Sequence, residues 1–85
     1  MSYYAGLDVS LGETSICIVD DRGERVSEFK SLSEPANIAA SLKKTGYSFS
    51  RAGLEAGPLS QWLYEGLIAE DLPAICVETH HMKKL

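Results

Sequence analysis

Two carboxylates are the residues of this chain best suited to chemistry. Asp8 ends the run Tyr3-Tyr4-Ala5-Gly6-Leu7-Asp8, and Glu55 ends the run Arg51-Ala52-Gly53-Leu54-Glu55. Each follows a Gly-Leu step, and each is followed by small residues and a turn. If the two runs are neighbouring strands of one sheet, both acids reach the same cleft at its edge. Two acids side by side repel, so such a pair either raises a pKa or binds a divalent cation. Mg²⁺ takes hard oxygen ligands: a few carboxylates, with waters and phosphate oxygens completing the octahedron. In two-metal phosphoryl-transfer sites the ions lie ~3.5–4 Å apart and clamp the attacking and leaving oxygens. Asp8 and Glu55 are half of such a ligand set, enough to hold one ion weakly. No third acid of similar character follows them.

The elements that must position these acids can be read in order. Strand one is Tyr3 to Asp8, and Val9-Ser10-Leu11-Gly12-Glu13 turns the chain. Strand two, Thr14 to Val19, has the β-branched and apolar residues that strands favour. Asp20-Asp21-Arg22-Gly23 is a hairpin turn whose glycine supplies a positive φ. Strand three, from about Glu24 to Lys30, is polar, as suits an edge strand. Ser33 is expected to cap a helix from Glu34 to Thr45, with Pro35 in its first turn and Gly46 as its stop. That helix presents Ile38, Ala39 and Leu42 on one stripe. Strand four is Ser50 to Glu55. After Ala56-Gly57-Pro58, with Pro58 at the first helical position, a second helix from Leu59 to Glu70 carries Leu59, Trp62, Leu63 and Leu67 on one face. Strand five, Ala74 to Glu78, is nearly continuous apolar, as a strand covered on both faces would be.

The order is β-β-β-α-β-α-β. The first three strands form an antiparallel meander, with strand three paired to strand two. Right-handed crossovers then place strand four beside strand one and strand five outside it. The expectation is an α/β fold with a five-stranded mixed sheet in order 3-2-1-4-5. Strands one and four are adjacent and parallel, so Asp8 and Glu55 meet where open α/β sheets commonly bind ligands.

Composition bounds the rest. The chain has 85 residues, 45% hydrophobic and 24% charged, which leaves room for one small domain. Twelve acids against eight Lys and Arg give a net charge of -4. A free-standing nucleic-acid binder usually carries a basic patch. Here the clusters are small, Lys43-Lys44 and the histidine-lysine stretch near Lys83-Lys84, so most phosphate contacts would have to come from elsewhere. Cys17 and Cys76 sit in apolar runs and are expected as buried, reduced thiols. With no signal peptide and no apolar run near the ~20 residues that span a bilayer, a cytoplasmic location is expected. The stop at Met82-Lys83-Lys84-Leu85, with no closing element, suggests the front portion of a longer protein.

The strand order with an acid on strand one and another on strand four resembles the ribonuclease-H-like superfamily. Three local motifs narrow this: Tyr4-Ala5-Gly6-Leu7-Asp8-Val9-Ser10, Gly53-Leu54-Glu55-Ala56-Gly57-Pro58-Leu59-Ser60-Gln61-Trp62-Leu63, and Cys76-Val77-Glu78-Thr79. Over nearly the whole chain they resemble the amino-terminal DEDD domain of insertion-sequence-110-type transposases. The block Leu-Glu-Ala-Gly-Pro-Leu-Ser-Gln-Trp-Leu carries most of the specificity. The sequence departs from the family at Leu11, where relatives often carry a lysine, and at His80-His81, where an arginine-histidine pair is usual.

The resemblance implies a Holliday-junction-resolvase-like fold that holds divalent metal, Mg²⁺ or Mn²⁺, through four acids. Asp8 matches the first and Glu55 the second. The last two, and the serine nucleophile of a carboxy-terminal domain, belong to sequence beyond Leu85. The implied function is metal-dependent DNA cleavage and strand transfer by the full-length transposase. DNA is the implied partner, with a nucleic-acid guide or accessory factor or a second copy of the chain as further candidates. The isolated fragment is expected to be inactive.

Several other residues are candidates for that cleft. Ser10 would bond Asp8 or a phosphate, or else steady its turn. Gly57 with Pro58 opens a helix whose amides suit a phosphate, or else makes a simple strand-to-helix turn. Gln61 faces either cleft or solvent. Trp62 is expected in the core, Glu78 at a solvated strand end, and His80 and His81 in a solvated tail. Two other classes of function stay open. One is an actin-like or sugar-kinase-like ATP-binding domain, which would use glycine and threonine after the strand-one acid; Val9-Ser10-Leu11-Gly12-Glu13 lacks that pair. The other is a non-enzymatic interaction fragment.

Overall fold

The computed structural model describes residues 2–55, 57 and 59–77. The elements are β1 Tyr3–Val9, β2 Glu13–Val19, β3 Arg25–Leu32, α1 Pro35–Lys44, β4 Phe49–Glu55, α2 Ser60–Ala69 and β5 Ala74–Val77. The strands make one sheet in the order β3-β2-β1-β4-β5. β1–β2 and β2–β3 are antiparallel, while β1–β4 and β4–β5 are parallel. This is the expected topology. Pro58, Glu78, His80 and His81 lie outside the described residues.

The turns form for the reasons the sequence offers. In the β2–β3 hairpin the Asp20 carboxylate accepts the Arg22 and Glu24 amides at 2.9 and 3.0 Å, and Gly23 takes φ 83°. Gly46, at φ 79°, ends α1. No glycine follows α2. Asp71 takes φ 65° instead, and its amide reaches the Ile68 carbonyl while the Leu72 amide reaches that of Leu67. That pair of bonds is a Schellman motif, and Leu67 and Leu72 on either side of it are both buried in the core.

Period-2 alternation sorts the strand residues onto two faces. Ala5, Leu7, Ile16, Ile18, Ala52, Leu54 and Ala74 are buried with Ile38, Ala39 and Leu42 of α1 and Leu63 and Leu67 of α2. Both helices therefore cover one face. At the amino end of β1, Tyr3 stacks on Tyr47 with ring centroids 4.3 Å apart, and Phe49 meets Tyr47 edge-on. The helices approach closely where Gly66 meets Pro35: a Cβ at Gly66 would collide with the Pro35 ring.

The opposite face is open among the described residues, and three expectations do not hold. β5 is an edge strand with Ile75 exposed on that face, not a strand covered on both sides. Cys17 is only half-buried and Cys76 is exposed, though both are free thiols as expected. Trp62 is 52% exposed. Leu63 and Leu67, one helical turn apart, set the buried stripe of α2, and Trp62 lies about 100° away from Leu63 around the helix. A fourth expectation fails at α1. Its N-cap position is Glu34, which makes no side-chain capping bond, and the Ser33 hydroxyl points elsewhere.

Candidate active site

The site is assembled by register. β1 and β4 pair in parallel, Gly6 with Gly53 and Leu7 with Leu54. Leu7 and Leu54 enter the core, so Asp8 and Glu55, one residue further along, turn to the open face at the same level. On β2, Ser15 is the partner of Asp8, and on β3, Lys30 is the partner of Ser15. A row of Lys30, Ser15, Asp8 and Glu55 thus crosses four strands.

A depression of about 460 Å³ lies over this part of the open face. Asp8, Ser15 and Glu55 line one side, Cys17 and Glu28 the other, and Gly6 and Gly53 form its floor. A Cβ at Gly6 would come no nearer than 3.9 Å to the neighbouring backbone, so the fold itself leaves that space free. A second depression of about 240 Å³ shares Glu55 and runs from Ser10 and Leu11 to Gly57 and Ser60.

Four of the described acids are committed to partners of their own, and Asp8 and Glu55 are not among them. Asp20 is committed to its hairpin, Glu28 to Arg25 at 3.5 Å, Glu65 to Gln61 and Glu70 to Lys43. Asp8 is exposed and Glu55 half-buried. Among the described residues neither carboxylate makes a side-chain hydrogen bond or ion pair. Their oxygens are free to take an external ligand.

The remaining candidates divide. Ser10 and Gly57 both border the second depression beside Glu55. Among the described residues the Ser10 hydroxyl does not bond Asp8, and its carbonyl accepts from Ser33 at 2.6 Å. The Gly57 amide is taken by Ser60 Oγ at 3.1 Å, and that hydroxyl donates back to the Gly57 carbonyl at 2.8 Å. Gly57 therefore makes a closed strand-to-helix turn. Gln61 faces solvent and donates to Glu65 at 2.6 Å. It lines neither depression. Sequence reasoning missed Ser15, Ser60 and the glycine floor. Alternation along β2 would have put Ser15 on the Asp8 face; Ser60 lies within the resemblance block, but its hydroxyl was not singled out.

The donor set fits a hard cation only in part. Among the described residues no three His, Cys, Asp or Glu side chains converge as metal ligands. Two uncommitted carboxylates at one sheet level still suit Mg²⁺, which is commonly held through one or two carboxylates with waters and substrate phosphates.

No family model matches the chain, and no curated protein matches it. Solved structures do. The chain is similar to T. thermophilus RuvC in complex with Holliday junction substrate, with a TM-score of 0.70 at 7% identity, over 99% of this chain and 69% of that one. The fold is ribonuclease-H-like. It is also similar to YeaZ from Pseudomonas aeruginosa, with a TM-score of 0.55 at 14% identity, over 92% of this chain and 44% of that one. At these identities the likeness is one of fold, and the ribonuclease-H-like sheet accounts for the adjacent acid-bearing strands. No helix among the described residues is long and apolar enough to cross a membrane.

Proposed function

We propose that residues 1–85 are the front part of the catalytic domain of an insertion-sequence-110-type DNA transposase, with Asp8 and Glu55 as two of its metal ligands. One observation carries the reading. Two carboxylates without protein partners stand on neighbouring strands of the open face of a ribonuclease-H-like sheet, lining a depression of about 460 Å³. The sequence motifs around both acids supply the narrower family.

Asp8 and Glu55 would hold Mg²⁺ or Mn²⁺. When bound, the ion supplies charge neutralisation and Lewis-acid polarisation of a phosphodiester oxygen. The chain's own residues do the rest. The bare acid pair repels a polyanion, so DNA enters productively once that charge is offset. Lys30, in the same row, and Arg51, on the same face of β4, would contact flanking phosphates. The Gly6–Gly53 floor lets a sugar-phosphate backbone approach the sheet. Two acids are half of the resemblance's ligand set, so the chain alone is expected to cleave no DNA. The ATP-binding alternative has no support in the turn after Asp8, which lacks the glycine-threonine pair.

The test is strand cleavage and transfer by the complete transposase carrying Asp8→Asn or Glu55→Gln. Each variant should fold and lose activity. Activity retained in either folded variant overturns the proposal.

A further inference from the structure

Ser33 and Thr14 are the buried polar side chains of the described residues, at 6% and 0% exposure. Their hydroxyls are 2.8 Å apart, and Ser33 Oγ donates to the Ser10 carbonyl at 2.6 Å. Ser33 has one hydroxyl proton, and that carbonyl can only accept. The direction of the relay follows: Thr14 donates to Ser33, and Ser33 donates to Ser10. The Ser33 amide also donates to the Gly12 carbonyl at 3.2 Å. One residue ahead of α1 thus holds the β1–β2 loop at two carbonyls.

The arrangement goes against local helix chemistry. A serine just ahead of Glu34-Pro35 would ordinarily satisfy the first amides of the helix, and losing such a cap costs typically ~1 kcal/mol. Here α1 starts without a side-chain cap, and the hydroxyl holds the loop that leaves Asp8. Local rules broken without local gain tend to mark functional positions. The clamped loop carries Ser10 and Leu11, which face Gly57 and Ser60 across the depression that ends at Glu55.

We propose that Ser33, supported by Thr14, is a positioning residue that fixes the loop following the Asp8-bearing strand against the Glu55-bearing strand end and so preforms the cation site. The metal half of this rests on the functional reading above; the clamp does not.

The experiment is amide-resolved NMR of the 85-residue chain, as wild type, Ser33→Ala, Ser33→Thr and Thr14→Val. Without metal, exchange of the Ser10 amide should quicken at least tenfold in Ser33→Ala relative to Leu7, and recover in Ser33→Thr. Unchanged exchange in folded Ser33→Ala overturns the clamp, whatever the metal result. If Ser33→Ala does not fold, the isosteric Thr14→Val is read in its place against the same criterion. Mn²⁺ is then titrated, reading paramagnetic broadening at Asp8 and Glu55. Ser33→Ala should need about tenfold more Mn²⁺ than wild type, and Ser33→Thr should restore the wild-type response. A folded Ser33→Ala that titrates like wild type overturns the positioning role. No broadening in the wild type overturns both the preformed site and the metal reading, while the exchange data still decide the clamp.

Discussion

Leu7 of β1 and Leu54 of β4 are register partners buried on the helix-covered face. Because strand side chains alternate, the next residue on each strand must emerge on the other face. Asp8 and Glu55 are therefore neighbours by the geometry of a parallel pair, and burial of the two leucines holds the register. A one-residue slip would send one acid into the core.

Burial predicts how α2 divides its energy. Leu63 is fully buried, so Leu63→Ala should lower unfolding free energy by about 2–5 kcal/mol. Trp62 is half-exposed despite its size, so Trp62→Ala should cost no more than ~1 kcal/mol. Urea titrations of both variants check this. Equal losses would put Trp62 back in the core.

The contact between α1 and α2 gives the opposite result from helix propensity. Alanine is favoured over glycine inside a helix by ~1 kcal/mol. At Gly66 the added methyl group meets the rigid Pro35 ring, an overpacking of the kind that costs ~1–3 kcal/mol. Gly66→Ala should lower the melting temperature, and Gly66→Ala with Pro35→Ala should recover part of the loss. A Gly66→Ala protein more stable than wild type would contradict the close helix contact.

The glycine floor separates folding from ligand access. A side chain at Gly6 meets nothing nearer than 3.9 Å, and valine suits a strand. Gly6→Val should melt at or above the wild-type temperature while its side chain fills the depression beside Asp8. In the full-length protein of the proposed function it should weaken DNA cleavage at least tenfold. Unimpaired cleavage would show that substrate does not cross this floor.

Much of this was legible in the sequence. The strand order followed from three hairpin-joined strands and two helix crossovers, and the two acids followed from matching Gly-Leu-acid endings. The failures have physical causes. Trp62 and Leu63 both fit an apolar helix period, and only packing against the sheet chooses between them. The exposure of Cys17 and Ile75 depends on which face the helices cover, which apolar strand composition does not reveal; Cys76 lies on the helix-covered side beside Leu54 yet is exposed on edge strand β5. Ser33 has the sequence of a cap, but its hydroxyl is drawn to a carbonyl 23 residues away in sequence. Ser60 lies in the block that carries the family resemblance, but its place beside Glu55 comes from hydrogen bonds to Gly57 that the sequence does not specify.

The most direct test of the central claim is a crystal of the chain grown with Mn²⁺, read by anomalous scattering. The account predicts a peak bridged by the carboxylates of Asp8 and Glu55, lost in Asp8→Asn. Carboxylates that point apart with no peak between them, at Mn²⁺ concentrations that saturate simple dicarboxylate ligands, would contradict it.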